Sequence, residues 1–260
     1  MSLFRHGGPA FLVATLIAGV AACGRPGGPG PGSAAGATPG TPPAASADPL
    51  ARLSAYAIAE KALADTRAAT SVHLAGTITD SGQKITLAET IVHGGTECSG
   101  RLSVEGKGSV QIILLGTTLW LKPDDTYWQS SGIPAADLPK VAGKWVRSAT
   151  SATGASSMAA PCSLTKMLSD TVPVSSAYKD PIIAPDGKVL TWEIMDTSDR
   201  SSIYVTDTAS PLITRIDGPP VDRQETVAST GSIDLTGYGA ATTITAPPAS
   251  DVVGPGTLGG

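Results

Sequence analysis

Apolar side chains recur at every second position through much of residues 71–246, which is the spacing of strands with one buried face. In the first such run, Val72, Leu74 and Ile78 alternate with polar residues before a glycine-containing turn. Further runs lie at 85–91, 102–104, 110–114, 119–121, 189–195, 201–206, 212–217, 225–235 and 242–246. The pattern predicts roughly nine to eleven consecutive strands, joined mostly by hairpins into an antiparallel sheet.

Two stretches have the spacing of helices instead. Asp48-Pro49 is typical of a helix N-cap followed by proline at the first helical position, and the apolar stripe after it predicts a helix to about residue 69. A second helix is predicted at about residues 157–171. The strands and these two main helices together predict an α+β fold.

The N-terminal 22 residues have the features of an export signal. A basic start at Arg5 is followed by an apolar run at 10–22, about 13 residues, whereas a membrane-spanning helix needs about 20. Small residues then lead directly into Cys23. This arrangement resembles the lipobox of bacterial lipoproteins, which implies cleavage before Cys23 and acylation of its thiol. The alternative is an ordinary secretory signal followed by an incidental cysteine.

The rest of the chain divides into a tether, one domain and a tail. After Cys23, residues 24–47 are nearly all Gly, Pro, Ala, Ser and Thr, a composition that cannot bury enough apolar surface to fold. We therefore interpret residues 23–47 as the acylated cysteine with a flexible tether. Residues 48–248 form a single β-rich domain in this interpretation, and residues 249–260 form a loose, Gly-rich tail.

Composition and charge exclude one class of partner. The formal net charge is −4, so the chain lacks the basic surface that binds nucleic acid. Both phenylalanines, Phe4 and Phe11, lie in the export signal. The core of the domain must therefore be aliphatic, with tryptophan and tyrosine as its aromatic residues.

The two cysteines that remain after Cys23 form an even pair in an exported chain. We predict a disulfide between Cys98 and Cys162, which would close a loop of about 65 residues and stabilise the fold by roughly 4 kcal/mol. Two separately buried thiols are the alternative. The wide separation of these cysteines does not match the ligand spacing of a metal site.

Catalytic chemistry has little support in the sequence. His73 and His93 have no companion at metal-ligand spacing, so we predict neither a metal site nor a cofactor. Ser163 and Lys166 match the Ser-x-x-Lys motif of penicillin-binding enzymes, but the accompanying Ser-Asp-Asn and Lys-Thr-Gly motifs are absent from the sequence. Ser163 fits a helix cap equally well. We predict that the protein is not an enzyme.

Several short motifs carry a resemblance to a known family. They are the segments 70–77, 116–121 and 211–215, together with Lys144-Trp145 and Tyr238-Gly239. With the lipobox, the tether and the opening helix, they resemble the mycobacterial LppX/LprG-type lipoproteins over about residues 48–250. The resemblance implies a curved antiparallel sheet, a half-open barrel wrapped over helices, with a cavity for acylated lipids or glycolipids.

The resemblance and the apolar strand faces together lead to the first functional hypothesis. The protein would be anchored on the extracytoplasmic face of the cell membrane and would bind or carry an acyl lipid or glycolipid. The candidate cavity residues are Val72, Leu74, Ile78, Ile85, Leu87, Val110, Ile112 and Leu114. The alternative is an envelope binding or sensor module with a filled core, which recognises a protein or the cell wall. The sequence identifies no protein partner.

Overall fold

The structure, a computed structural model, describes residues 48–152, 154–169, 176–220 and 229–254. The helices are α1 (Ala55–Arg67), α2 (Asp125–Ser130), α3 (Leu138–Val141), α4 (Ala155–Ala159) and α5 (Leu164–Ser169). The first strands are β1 (Ser71–Asp80), β2 (Gln83–Val92), β3 (Glu97–Val104), β4 (Gly108–Leu115), β5 (Thr118–Pro123) and β6 (Trp145–Ala149). The later strands are β7 (Ala177–Ile183), β8 (Val189–Asp196), β9 (Ser202–Thr206), β10 (Ile213–Asp217), β11 (Ser229–Thr236) and β12 (Val252–Val253).

All the described strands belong to one curved sheet of 12 strands, in the order β12-β6-β5-β4-β3-β2-β1-β11-β10-β9-β8-β7. Each half of the chain forms a meander, and the pairing of β1 with β11 joins the two halves. Because β12 and β7 each have one neighbour within the described residues, the sheet there is not closed into a barrel.

The predicted sheet-dominated fold is confirmed, but its details need correction. The sheet has 12 strands rather than roughly nine to eleven. It is also mixed, because β12 runs parallel to β6. The strands β6, β7 and β12 were not predicted, and residues 242–246, which were predicted as a strand, have no regular structure.

The alternating pattern separates the two faces of the sheet. On β1, the side chains of Val72, Leu74 and Ile78 are buried on the inner face, while His73 and Thr77 lie on the outer face. The outer face is polar: His73 Nδ1 lies 3.1 Å from the hydroxyl oxygen of Thr90 on β2. His73 is thus an exposed strand residue on the polar outer face.

The first helix begins later than the sequence predicts. The carboxylate of Asp48 accepts the backbone N–H of Ala51 at 2.8 Å and closes a short turn, whereas Ser54 is the N-cap of α1. Lys179 on β7 donates to the carbonyl oxygens of Ala51 and Leu53, at 2.6 and 2.7 Å. A residue distant in sequence thus binds carbonyls that a continuous helix would use internally.

The second predicted helix is broken into α4, a 3-10 turn at Ala160–Cys162, and α5. Pro161 lies in that turn, and proline cannot donate the backbone hydrogen bond that a continuous helix requires. The prediction of two main helices was therefore wrong. The described chain has one long helix, α1 with 13 residues, and several that are much shorter.

Helices α1 and α5 pack against the inner face of the sheet. Their buried apolar residues share one cluster with the inward side chains of both meanders: Ile58, Ala59, Ala62 and Leu63 from α1, and Leu164, Met167 and Leu168 from α5. Thr66 at the end of α1 accepts the backbone N–H of Ile213 at 3.0 Å and ties the helix to β10. A separate small cluster surrounds Trp128.

Part of the C-terminal segment belongs to the fold. Residues 249–260 were predicted to be a loose tail, but Ala249–Asp251 form a 3-10 turn and Val252–Val253 pair with β6 as β12. Lys144 fixes this segment by donating to the backbone carbonyl of Ser250 at 3.1 Å. The domain therefore continues beyond residue 248.

Candidate functional site

The candidate cavity residues all lie on the inner face of one half of the sheet. Three are on β1 (Val72, Leu74, Ile78), two on β2 (Ile85, Leu87) and three on β4 (Val110, Ile112, Leu114). Each is at most 6% exposed, and all belong to the cluster that includes α1 and α5. The inner face here is thus a largely aliphatic surface that packs in one cluster with the helices.

The same surface extends into the second half of the sheet, where none of the candidate cavity residues lies. Its buried inward side chains are Trp192, Ile194, Ile203, Val205, Ile213, Ile216, Ile233 and Leu235. Their alternation was visible in the sequence as predicted strands. What the sequence did not show is that β11 pairs with β1 and makes the two inner faces continuous.

A buried acid, Glu89, interrupts the aliphatic surface. Glu89 takes the inward position on β2 between Leu87 and Ile91, and its side chain is 1% exposed. Within the described residues, neither of its carboxylate oxygens has a hydrogen-bond partner. Burial raises the pKa of this carboxyl to about 7. Glu89 was not among the predicted site residues, although its place in the alternation marks it as a charged residue at an inward position.

The neighbouring strand provides room for this side chain. Gly100 on β3 lies directly opposite Glu89 in the sheet register. A Cβ atom at Gly100 would lie 2.5 Å from Glu89 Cγ, closer than real Cβ contacts. A larger residue at position 100 is therefore incompatible with the observed placement of Glu89.

Cys98 and Cys162 form a disulfide, as predicted. Their Cα atoms are 5.5 Å apart, and both residues are fully buried. The bond links β3 to the turn that precedes α5, so it fixes part of the helical cover to the sheet. A carboxylate oxygen of Glu89 and the two sulfur atoms lie within 4.8 Å of one another. Because the sulfurs are bonded to each other, this group is a disulfide beside a carboxyl.

Ser163 and Lys166 have a structural role in this region. The hydroxyl of Ser163 accepts the backbone N–H of Lys166 at 3.3 Å, which is the geometry of a helix cap. The side chain of Lys166 is exposed. The arrangement matches the helix-cap alternative that the sequence left open.

The outer face of the sheet carries open polar grooves. One, of about 430 Å³, lies over β8–β11 and is lined in part by Glu193, Tyr204 and Arg215. Arg215 donates to the carboxylate of Asp217 at 2.7 Å. Burial, together with the nearby charges of Asp217 and Glu193, raises the pKa of Tyr204 to about 12. These groups pair with one another, as expected for a solvated sheet face.

None of the described helices is both long enough and apolar enough to cross a membrane. Cys23 and its lipobox lie outside the described residues, so acylation stays a prediction.

The fold has counterparts among solved structures. LprF from Mycobacterium bovis is similar with a TM-score of 0.50 and 14% sequence identity, covering 74% of this chain and 96% of that chain. The lipoprotein LppX from Mycobacterium tuberculosis has a TM-score of 0.44 and 14% identity, covering 74% and 98%. No family model matches the sequence, and no curated protein is detectably similar to it. The likeness to LprF confirms the predicted resemblance at the level of the fold.

Proposed function

We propose that this chain is an extracytoplasmic lipoprotein that binds an acylated lipid or glycolipid between the inner face of its sheet and the helices that cover it. Acylated Cys23 holds it on the outer face of the cell membrane, and the tether at 23–47 lets the domain reach lipids near that surface. The fold shared with LprF supports the class of protein. The aliphatic chemistry of the inner face supports a cargo with acyl chains.

The observation that carries the proposal is the largely aliphatic inner face under a cover made partly of short segments. An acyl chain needs a long apolar surface shielded from water, and the inward residues of β1, β2 and β4 supply one. Part of the cover is α4, a 3-10 turn and α5, which are five, three and six residues long. Short elements can open locally without unfolding of the whole domain.

The disulfide attaches one end of this short part of the cover to the sheet. Cys98 and Cys162 hold the start of α5 against β3, so a motion of α5 away from the sheet would pivot about that bond. A ligand that enters under α5 would then contact the inward residues of the first half of the sheet. The protein acts as a binder or carrier in this proposal and uses no catalytic group. We therefore expect Ser163→Ala to leave lipid binding unchanged.

Native mass spectrometry with lipid extraction tests the proposal. The mature chain is secreted from a bacterial host with Cys23→Ala, so that no covalent acyl group contributes to the mass. A bound, extractable lipid, or uptake of a long-chain lipid on incubation, would support the proposal and identify the cargo class. An apo mass that persists after incubation with long-chain lipids would contradict it.

A second candidate function, an envelope binding module with a filled core, is favoured by one edge of the sheet. The edge strand β7 and its neighbour expose large apolar side chains: Tyr178, Ile182, Ile183 and Leu190, each at least 40% exposed. Exposed apolar edge strands are surfaces to which a partner strand can add. If the chain stays free of lipid, loss of one defined envelope partner on Ile182→Asp would favour this function.

A further inference from the structure

Glu89 is unusual because it is buried although neither oxygen of its carboxylate has a hydrogen-bond partner among the described residues. Burial of a carboxyl group without hydrogen bonds costs on the order of several kcal/mol, and this cost is avoided where a leucine fills the same position. The flanking inward positions on β2 hold Leu87 and Ile91, so the packing on this face accommodates aliphatic side chains. A polar group retained at such a site is expected to meet a partner in some functional state.

The surroundings of Glu89 exclude the described neighbours as that partner. Across the sheet it faces Leu74 on β1 and Gly100 on β3, neither of which offers a side-chain donor. The disulfide beside it has no hydrogen to donate. The carboxyl group therefore has no hydrogen-bond partner among the described residues, and it lies on the surface where the proposed ligand binds.

The chemistry of a buried carboxyl indicates which ligand would complete it. In apolar surroundings the neutral form is favoured, and a neutral carboxyl both donates one hydrogen bond and accepts another. A ligand with a hydroxyl beside an ester carbonyl complements both functions. A ligand whose polar end is a carboxylate or phosphate has to bring its own charge into apolar surroundings. Once the Glu89 carboxyl is ionised, that ligand also adds a second negative charge in the same enclosure, where repulsion is strong.

We propose that Glu89 is the polar anchor of the inner-face site, where it binds the hydroxyl and ester groups of a neutral acyl lipid and selects that lipid over an anionic one of equal chain length. This inference rests on the proposed lipid-binding function and deepens it by naming the ligand class. Gly100 contributes by leaving the space that the carboxyl side chain occupies.

The test compares two probes with the same acyl chain, monopalmitoylglycerol and palmitate. Equimolar competition for the mature chain with Cys23→Ala is measured by native mass spectrometry, for the parent and for Glu89→Leu and Glu89→Gln. We expect the parent to prefer monopalmitoylglycerol by about tenfold, the effect of one or two net hydrogen bonds. Glu89→Leu removes that preference. Glu60→Gln, at an exposed position on α1, is the matched control and leaves it unchanged.

Glu89→Gln keeps the test decisive if the leucine variant does not fold. An amide is neutral and retains a donor and an acceptor, so binding of monopalmitoylglycerol should stay within about threefold of the parent. At pH 8 palmitate should bind to Glu89→Gln several-fold more tightly than to the parent, because the amide cannot carry the negative charge that the Glu89 carboxyl carries above its pKa of about 7. If both variants keep the parent's ratio, Glu89 is a hydrated structural residue and the inference is overturned. If the folded parent binds neither lipid, the proposed function fails with it.

Discussion

Glu89 on β2 and Gly100 on β3 face each other across the sheet, and the carboxyl side chain occupies the space that a Cβ atom on the glycine would need. The glycine also lies close to the backbone of β2, since an added Cβ would collide with the carbonyl oxygen of Ala88. The placement of the buried acid thus depends on the absence of one methyl group on the next strand.

We expect Gly100→Ala to destabilise the fold by roughly 2–4 kcal/mol, because the new methyl group displaces both the Glu89 side chain and the strand backbone. Urea unfolding followed by circular dichroism measures the loss. The double variant with Glu89→Ala should recover only part of it, since the clash with Ala88 persists. Gly254→Ala, with open space around the added atom, is the control. A loss below about 0.5 kcal/mol at position 100 would contradict this account.

Glu89 also makes the free energy of unfolding fall as the pH rises. Burial raises the pKa of its carboxyl from 4.5 to about 7, so in this range the folded chain keeps a proton that the unfolded chain releases. The stabilisation is fully present below about pH 4.5 and is lost as the pH rises through about 7, by about 3 kcal/mol in total. We expect Glu89→Gln to abolish this contribution. Urea unfolding of both proteins near pH 5 and pH 8 measures it, and parallel pH profiles would show the acid to be solvated.

The alternation of apolar residues predicted most strands and the inward set, because a strand with one buried face carries its orientation in its own sequence. The start of α1 was not predictable in the same way. Asp48-Pro49 satisfies the local rules for a helix start, but Lys179 binds the carbonyls of Ala51 and Leu53 from β7. The strand order, and with it the continuity of the inner face through β1 and β11, depends on pairings that no local pattern records.

Lys179 on β7 therefore tests whether a residue distant in sequence determines where α1 begins. Lys179→Met removes the charged donor to both carbonyls, as well as its position 4.6 Å from the Trp192 ring centre, while it keeps the apolar stem. We expect a loss of roughly 1–3 kcal/mol in the free energy of unfolding and faster amide exchange at the start of α1. Lys84→Met, at an exposed position on β2, should change neither quantity.

The disulfide should stabilise the domain mainly through the unfolded chain. It joins residues 64 positions apart, and in the loop-entropy model this corresponds to roughly 4 kcal/mol. We expect the double variant Cys98→Ala with Cys162→Ala to fold with a lower Tm and to lose up to that amount in urea unfolding. Because both thiols are removed together, no free cysteine is left to mispair. An unchanged Tm would mean that the bond constrains neither the unfolded chain nor α5.

Ile112 and Ile113 are adjacent on β4 and point to opposite faces of the sheet, which makes them a matched pair for the lipid site. Ile112 is 1% exposed and belongs to the inner cluster, whereas Ile113 is partly exposed on the outer face. If an acyl chain occupies the inner face, Ile112→Trp should reduce uptake of monopalmitoylglycerol at least fivefold while Ile113→Trp leaves it unchanged. Native mass spectrometry measures uptake, and circular dichroism confirms that both variants fold. Because the two substitutions add the same volume one residue apart, equal uptake by both folded variants would place the lipid elsewhere and favour the filled core with its exposed β7 edge.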